Sequence, residues 1–316
     1  MGKELSRIVL VVLVVALSSM LALPGSARAA NKPHLSFYGN VAVVATSGGD
    51  YADPASAMAD YSSWCGTPSA TSPCLLKIMP GVYTVTSPVV MQPYIDIEGS
   101  GEMVTKITGA LNGQYPSTTP TLEGASHAEL RFVTVENTGT SGYTTAISNS
   151  SQSPSILHVT ASASGGTDNY GVFNTYASPT MTNVTATASG GTESFGVFNR
   201  YASPTMTNVT ATASGGTNSN YGVFNVNSSL TMTNVTATAS GGSFSYGVYN
   251  SNSGTVKIDH SVIKGSTNSI FCGGGTATYV GDSQLDGSAG SAAGGTLTCV
   301  GAYDGSYVAL STTCGP

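Results

Sequence analysis

Three stretches of the chain are nearly the same. Each reads Thr-Met-Thr-Asn-Val-Thr-Ala-Thr-Ala-Ser-Gly-Gly, starting at Thr180, Thr205 and Thr231, and each is followed by an aromatic residue, Gly, Val, a second aromatic residue and Asn. Diverged copies extend the pattern: Leu130, Ile156, Met181, Met206, Met232, Ile258 and Val280 share one position, at spacings of 26, 25, 25, 26, 26 and 22. A unit this short cannot bury an apolar face alone, so it must stack on its neighbours. Within a unit, alternating segments of three to five residues are separated by Gly-Gly, Ser-Pro and Asn, without the 3.6 spacing of a helix. Each unit is therefore a set of short strands. Stacked at about 4.8 Å per coil, they make an all-β parallel β-solenoid with coils of about 25 residues. A propeller would need ~40 to 50 residues per blade, and a leucine-rich repeat its own Leu spacing.

Composition agrees. Of 316 residues, 39 are Gly and only 8% are charged, against ~25% in a typical globular chain, which excludes a coiled coil or helical bundle. Apolar residues recur throughout, so the chain is not disordered for want of surface to bury. Ten Lys and Arg in a chain of net charge −6 form no basic stripe, which argues against a nucleic-acid partner.

Two Asn columns follow from the period. Asn183, Asn208 and Asn234, with His158 and His260 in the same slot, fall between alternating strands, where a left-handed residue makes a corner and side-chain amides hydrogen-bond up the stack. The second column is Asn149, Asn174, Asn199, Asn225 and Asn250, continued by Cys272. Both are read as internal ladders. Asn-Val-Thr is formally a glycosylation triplet, but a buried amide would be closed to the transferase, so no glycan is expected there.

The first residues give an address. Lys3 and Arg7 precede an apolar run from Ile8 to Leu23, and Ala27-Arg28-Ala29 has the small-residue spacing of a cleavage site. The run falls short of the ~20 residues that span a bilayer. Residues 1–29 are thus read as a signal peptide, 30–76 as an N-terminal cap and linker, 77–300 as the solenoid and 301–316 as a C-terminal cap. No other segment could span a membrane, and the mature chain is expected to be secreted, extracellular or at the cell surface.

Export permits disulfides among Cys65, Cys74, Cys272, Cys299 and Cys314. No C-x-x-C spacing or nearby His supports a metal or redox site. Cys65 and Cys74 bracket a short loop and are expected to pair. Cys272 and Cys299 lie about one coil apart and are expected to pair between coils, leaving Cys314 free; the competing pairing is Cys299 with Cys314.

The stretch Lys77-Ile78-Met79-Pro80-Gly81-Val82-Tyr83, followed by Tyr94-Ile95-Asp96-Ile97-Glu98-Gly99-Ser100-Gly101 and Thr105-Lys106-Ile107-Thr108-Gly109, resembles the opening coils of exported pectinesterase-like proteins. The whole pattern is similar to the right-handed parallel β-helix of the pectin-lyase-like superfamily. That resemblance implies a short amphipathic helix over the first coil, and Asp53-Pro54 ahead of Ala55 to Ala59 suits its N-cap and first turn.

The resemblance does not bring chemistry with it. The Gln-Asp-Thr-Leu and Asp-Phe-Ile-Phe-Gly type motifs of pectinesterases are absent from the sequence. Asp259-His260 is similar to an Asp-His pair of pectate lyases, but His260 falls in the Asn slot and is read as structural. Asp168 and Glu193, the only acids from Ser153 to Asn252, flank Gly-rich turns and are read as solvated. His34, His127, His158 and His260 have no Gly-x-Ser-x-Gly partner, and no phosphate loop or cofactor motif is present. No catalytic, metal or cofactor residues are assigned.

The aromatic residues offer more. Tyr170 and Phe173 are three apart, so on a continuous strand they point to opposite sides. With the Asn column inside, Phe173, Phe198, Phe224 and Tyr249 are expected to form an exposed column able to bind a ligand, while Tyr170, Phe195, Tyr221 and Tyr246 fill the core. The leading reading is a secreted, non-catalytic β-helix that binds polysaccharide or builds a cell-surface structure. One alternative is a pectate lyase-like or pectinesterase-like enzyme with its site near Asp259 or near Asp96 and Glu98. Another is an ice-binding protein using Thr-x-Thr arrays such as Thr185-Ala186-Thr187, although four coils give only ~19 Å of such surface.

Overall fold

Every repeat folds into one coil of two or three strands: the coil from Thr180 has two, Thr180–Ser189 and Glu193–Arg200, and in later coils the first of these is split at the corner. The coil from Thr205 contains Thr205–Thr207, Thr210–Ser214 and Ser219–Val226, and each strand pairs in parallel with its equivalents in the coils before and after. The computed structural model describes residues 38–315; the expected leader at 1–29 lies outside the described residues. Stacking yields a parallel β-solenoid of about nine turns. In each repeat the last strand contributes to a 9-stranded sheet and the one or two strands before it to an 18-stranded sheet.

The register read from the repeat holds through the stack. Leu130, Ile156, Met181, Met206, Met232, Ile258 and Val280 are successive strand partners, and the column extends back through Ile97 and Leu76 to Ala42 and forward to Cys299. All these side chains are buried, with Val209, Ala211, Ala213 and Val223 beside them. Thr210 and Thr212 alternate outward, in register with Thr185 and Thr187 and with Thr236 and Thr238. At the start of the stack, the helix Pro54–Ala59 is capped by Asp53, whose carboxylate accepts the Ser56 N–H at 2.9 Å. Pro54, Ala57 and Met58 are its buried residues.

The corner column adopts the expected left-handed backbone: φ is 51° at His158, 54° at Asn183, 55° at Asn208, 54° at Asn234 and 48° at His260. Its amides link up the stack, Asn234 donating to Asn208 at 2.7 Å and Asn208 to Asn183 at 2.9 Å. The column is not internal, however. Asn208 and Asn234 are exposed, because a left-handed residue at the corner between two strands turns its side chain out of the coil. Burial therefore does not shield these Asn-Val-Thr triplets.

The second column is internal, as expected. Asn149, Asn174, Asn199, Asn225 and Asn250 are buried, each donating its Nδ2 to the next Oδ1 at 2.7 to 2.8 Å, and Asn250 donates to Thr278 Oγ1 at 2.7 Å. Inside an apolar coil, such a chain pairs the amides of Asn174, Asn199, Asn225 and Asn250 in both directions, whereas the Oδ1 of Asn149, where the chain begins, is buried without a partner.

Cys65 and Cys74 are disulfide-bonded. The pairing of Cys272 with Cys299 is overturned: Cys299 bonds to Cys314, and Cys272 is a buried free thiol. Cys272 does continue the Asn250 position, but the residue stacked on it is Ser291, in the 9-stranded sheet. Cys299 stacks on Val280 in the other sheet. The final coils are shorter than 25 residues, so a separation of one nominal period carries the chain from one sheet into the other. Peptide mapping without reduction should recover Cys299 linked to Cys314, with Cys272 alkylated only after unfolding; a Cys272–Cys299 peptide would refute this arrangement.

Candidate functional site

The outer face of the 9-stranded sheet carries both aromatic columns. In the strand Asp168–Thr175, register with the next coil runs Tyr170 to Phe195 and Val172 to Val197, and Gly171 drops out of the pairing. Val172 is fully buried in the core, and a Cβ on Gly171 would lie 2.9 Å from the backbone N of Thr187 across the coil. Two successive residues thus point inward, a local bulge of the backbone that adjacent strands repeat in register, with no residue gained against the partner. The bulge returns Phe173 to the side of Tyr170, and their rings meet edge to face at 5.6 Å. The expectation that Tyr170, Phe195, Tyr221 and Tyr246 fill the core fails for this reason: a three-residue spacing implies opposite faces only on an unbroken strand.

The result is a double ladder outside the core. Tyr170, Phe195, Tyr221 and Tyr246 stack at 4.7 to 5.6 Å. Phe173, Phe198, Phe224, Tyr249 and Phe271 stack at 5.1 to 5.3 Å. Tyr170, Phe173 and Phe195 form an apolar cluster separate from the interior, with Tyr143, Phe198, Tyr221 and Phe224 packed against it. Ring faces are mostly taken by neighbours along the axis. Edges and Tyr hydroxyls are what solvent meets, chiefly on the half-buried Phe198, Tyr221, Phe224, Tyr246, Tyr249 and Phe271. Phe173 faces outward as expected but is buried, at 6% exposure.

Asp168 and Glu193 border this face. They are strand partners at the start of adjacent strands, half-buried, and each lies two residues before a ladder aromatic on the same side. The turn that delivers Asp168 is held by Asn169, which points inward, accepts the Gly166 N–H at 3.0 Å and donates to Gly190 O at 3.0 Å. Reading the two acids as solvated turn residues missed this placement; the signal was available in their spacing of one period. Burial pushes both carboxyls above their ordinary values, and for Glu193 the charge of Asp168 adds to it. Burial, with the charges of Asp168 and Glu193, also raises the Tyr170 phenol.

A carboxyl raised on folding binds its proton more tightly in the folded chain. Stability should then be unpenalised at pH below the usual carboxylate range and fall as pH rises through the raised values. Asp168→Asn/Glu193→Gln should accordingly melt higher than the parent at pH 7, and the difference should close near pH ~4. Equal melting at both values would refute the burial of these charges.

At the other margin, Arg200 ends its strand and lies 5.5 Å from the centre of the Tyr201 ring. Tyr201 stacks on Tyr176 at 5.0 Å, with left-handed φ of 49° and 50° and exposures of 43% and 63%. This corner pair was not anticipated; the repeated Tyr-Ala-Ser-Pro was its trace in the sequence.

The acids Asp96 and Glu98 belong to a different arrangement. Arg131, only 6% exposed, bonds Glu129 at 2.6 Å and Glu98 at 2.6 Å and lies 3.7 Å from Asp96. Lys77 bonds the other Glu98 oxygen at 2.8 Å, and the Tyr38 hydroxyl donates to Asp96 at 2.6 Å. Burial alone would raise Glu98, but hydrogen bonds from Lys77 and Arg131 outweigh it and hold the carboxyl below its usual value. Tyr38 is pushed up to about 12 by burial and by Asp96. All three carboxylates here hold a cation, sharing Arg131 and Lys77 between them, and the cluster staples successive coils. Asp259 and His260 are in contact at 2.9 Å, and with Asp282 their ligand atoms lie within 4.8 Å of one another, all three exposed at the corner column.

No protein-family model matches the chain, and no curated protein matches it in sequence. Among solved structures it is similar to the pectin methylesterase PemA from Erwinia chrysanthemi, at TM-score 0.49 and 10% identity, covering 89% of this chain and 93% of that one. Carrot pectin methylesterase gives 0.48 and 13%, covering 86% and 84%. The Dettilon tailspike protein gives 0.46 and 10%, covering 89% and 71%. At such identities the likeness concerns fold alone, and the solenoid itself rests on its strand register.

Proposed function

We propose that this chain is a secreted, non-catalytic β-helix that binds polysaccharide through the outer aromatic face of its 9-stranded sheet. One observation carries the reading: aromatic side chains of successive coils build a second apolar cluster outside an interior that is already filled. A contiguous apolar surface of this kind, edged with polar groups, is characteristic of an interaction site. Ring edges and the hydroxyls of Tyr221, Tyr246 and Tyr249 would meet the sugar, since the ring faces are occupied. Secretion is supported by the leader-like first residues and by two disulfides, which form in oxidising compartments. Among the described residues, no helix is long and apolar enough to cross a membrane. The ion pairs that tie every carboxylate around Arg131 favour a structural role for that cluster over a catalytic one.

Retention on insoluble polysaccharides tests the reading. The parent should be retained, and Tyr246→Ser/Tyr249→Ser should weaken retention by about tenfold or more while still melting cooperatively. A parent retained on no polysaccharide refutes the binding role. Release of new reducing ends or unsaturated products from a bound polysaccharide refutes the non-catalytic part.

A further inference from the structure

Asp168 and Glu193 stand side by side on one margin of the aromatic face, at the ~4.8 Å spacing of adjacent strands. Among the described residues their situation differs from that of most strand acids, although Glu123, on a short strand of the same sheet, is likewise half-buried without an ion pair. Glu98, Glu129, Glu136 and Asp286 each hold a Lys or Arg, whereas among the described residues Asp168 and Glu193 make no ion pair. The nearest side-chain donor to Glu193 is the Asn218 amide, at a long 3.4 Å. In the strands of this face from Tyr143–Ser150 to Asn268–Cys272, Arg200 is the one Lys or Arg, and it sits at the opposite end of its strand from Glu193. The face thus joins an apolar wall to an uncompensated pair of negative charges.

A group that completes this pair must be cationic, must donate to two carboxylates at once, and must be attached to something that lies against aromatic edges. A primary ammonium on a sugar ring meets all three conditions. Its three N–H donors can bridge both carboxylates in charge-assisted hydrogen bonds, and the C–H surface of the pyranose can rest on the exposed edge of Tyr221, in the coil after Glu193. A polyuronate would instead bring its own carboxylates to the same margin. We infer that the glycan taken by this face carries free amino groups, as a de-N-acetylated hexosamine polymer does, and that Asp168 and Glu193 hold one ammonium between them. This rests on reading the face as glycan-binding and names the class of glycan.

Titration calorimetry with three hexasaccharides, of glucosamine, N-acetylglucosamine and galacturonic acid, provides the test. The glucosamine hexamer should bind about tenfold more tightly than its N-acetylated form, and added salt should shrink that preference. Asp168→Asn/Glu193→Gln should abolish the preference and keep the affinity for the N-acetylated hexamer. Asp259→Asn/Asp282→Asn, which removes the same charge from the corner column, should leave the preference intact. Equal affinity for the two hexosamine oligomers, tighter binding of the galacturonate, or a preference lost equally in both double variants would overturn the inference while leaving the glycan reading in place. Failure of every hexamer to bind, together with no retention on any polysaccharide, would overturn the glycan reading itself.

Discussion

Asn199→Leu is expected to lower the unfolding free energy by about 2 to 6 kcal/mol. Asn199 accepts from Asn174 at 2.8 Å and donates to Asn225 at 2.8 Å, and all three residues are buried. Leucine fills a similar volume and makes neither bond, so one buried donor and one buried acceptor lose their partners, at ~1 to 3 kcal/mol each. No water replaces them easily inside a coil whose neighbours are Met, Val and Ala. The exposed column supplies the contrast. Asn208 makes the same two kinds of contact at the corner, but its partners there can turn to water, and its φ of 55° suits glycine. Asn208→Gly should therefore shift the unfolding midpoint little. Urea titrations followed by circular dichroism would separate the two, and equal shifts would show that burial does not distinguish the ladders.

How far the sequence could be read depended on what was periodic. Parallel strands one coil apart repeat the same environment, so Met181, Met206 and Met232 announce one another, and the spacing alone places Leu130 and Ile258 on the same column. The Asn199 ladder was legible for the same reason. What the period cannot report is direction. Whether a recurring residue points in or out depends on the backbone within one coil, and there two local departures decided the outcome. The left-handed corner at Asn183 turns a repeating amide outward. The bulge at Gly171 puts Tyr170 and Phe173 on one side, although the Gly between an aromatic and Val recurs in every copy and was the available sign of it. Cys272 and Cys299 show the opposite limit: where the coils shorten toward the C-terminus, counting by 25 no longer finds the stacked neighbour. Asp168 and Glu193 are one period apart in the sequence, yet their meaning depends on the ring wall beside them, which only the bulge creates.

Gly196→Val should prevent the repeat region from folding, at a cost above ~3 kcal/mol. Gly196 is the bulge glycine of its coil. A Cβ there would lie 2.6 Å from Gly222 O, 2.8 Å from Thr212 N and 3.1 Å from the carbonyl carbon of Ala211. All three are backbone atoms in strands whose hydrogen bonds fix them from above and below, so no side chain can move aside to make room. Here the two sheets approach so closely that only Ala211 and a glycine fit between them, and Ala211→Phe meets the same wall from the other side. The same neck recurs at Gly171 against Thr187 and at Gly222 against Thr238, which explains why Ala and Gly hold these positions in all three near-identical copies. Thr212→Ser, on the outer surface of the same strand, removes only a half-buried methyl group outside the core and should leave the melting temperature within about a degree or two of the parent. Soluble, cooperatively melting Gly196→Val protein would mean that the coil is wider than this packing allows, and with it that the aromatic rings need no bulge to reach the outside.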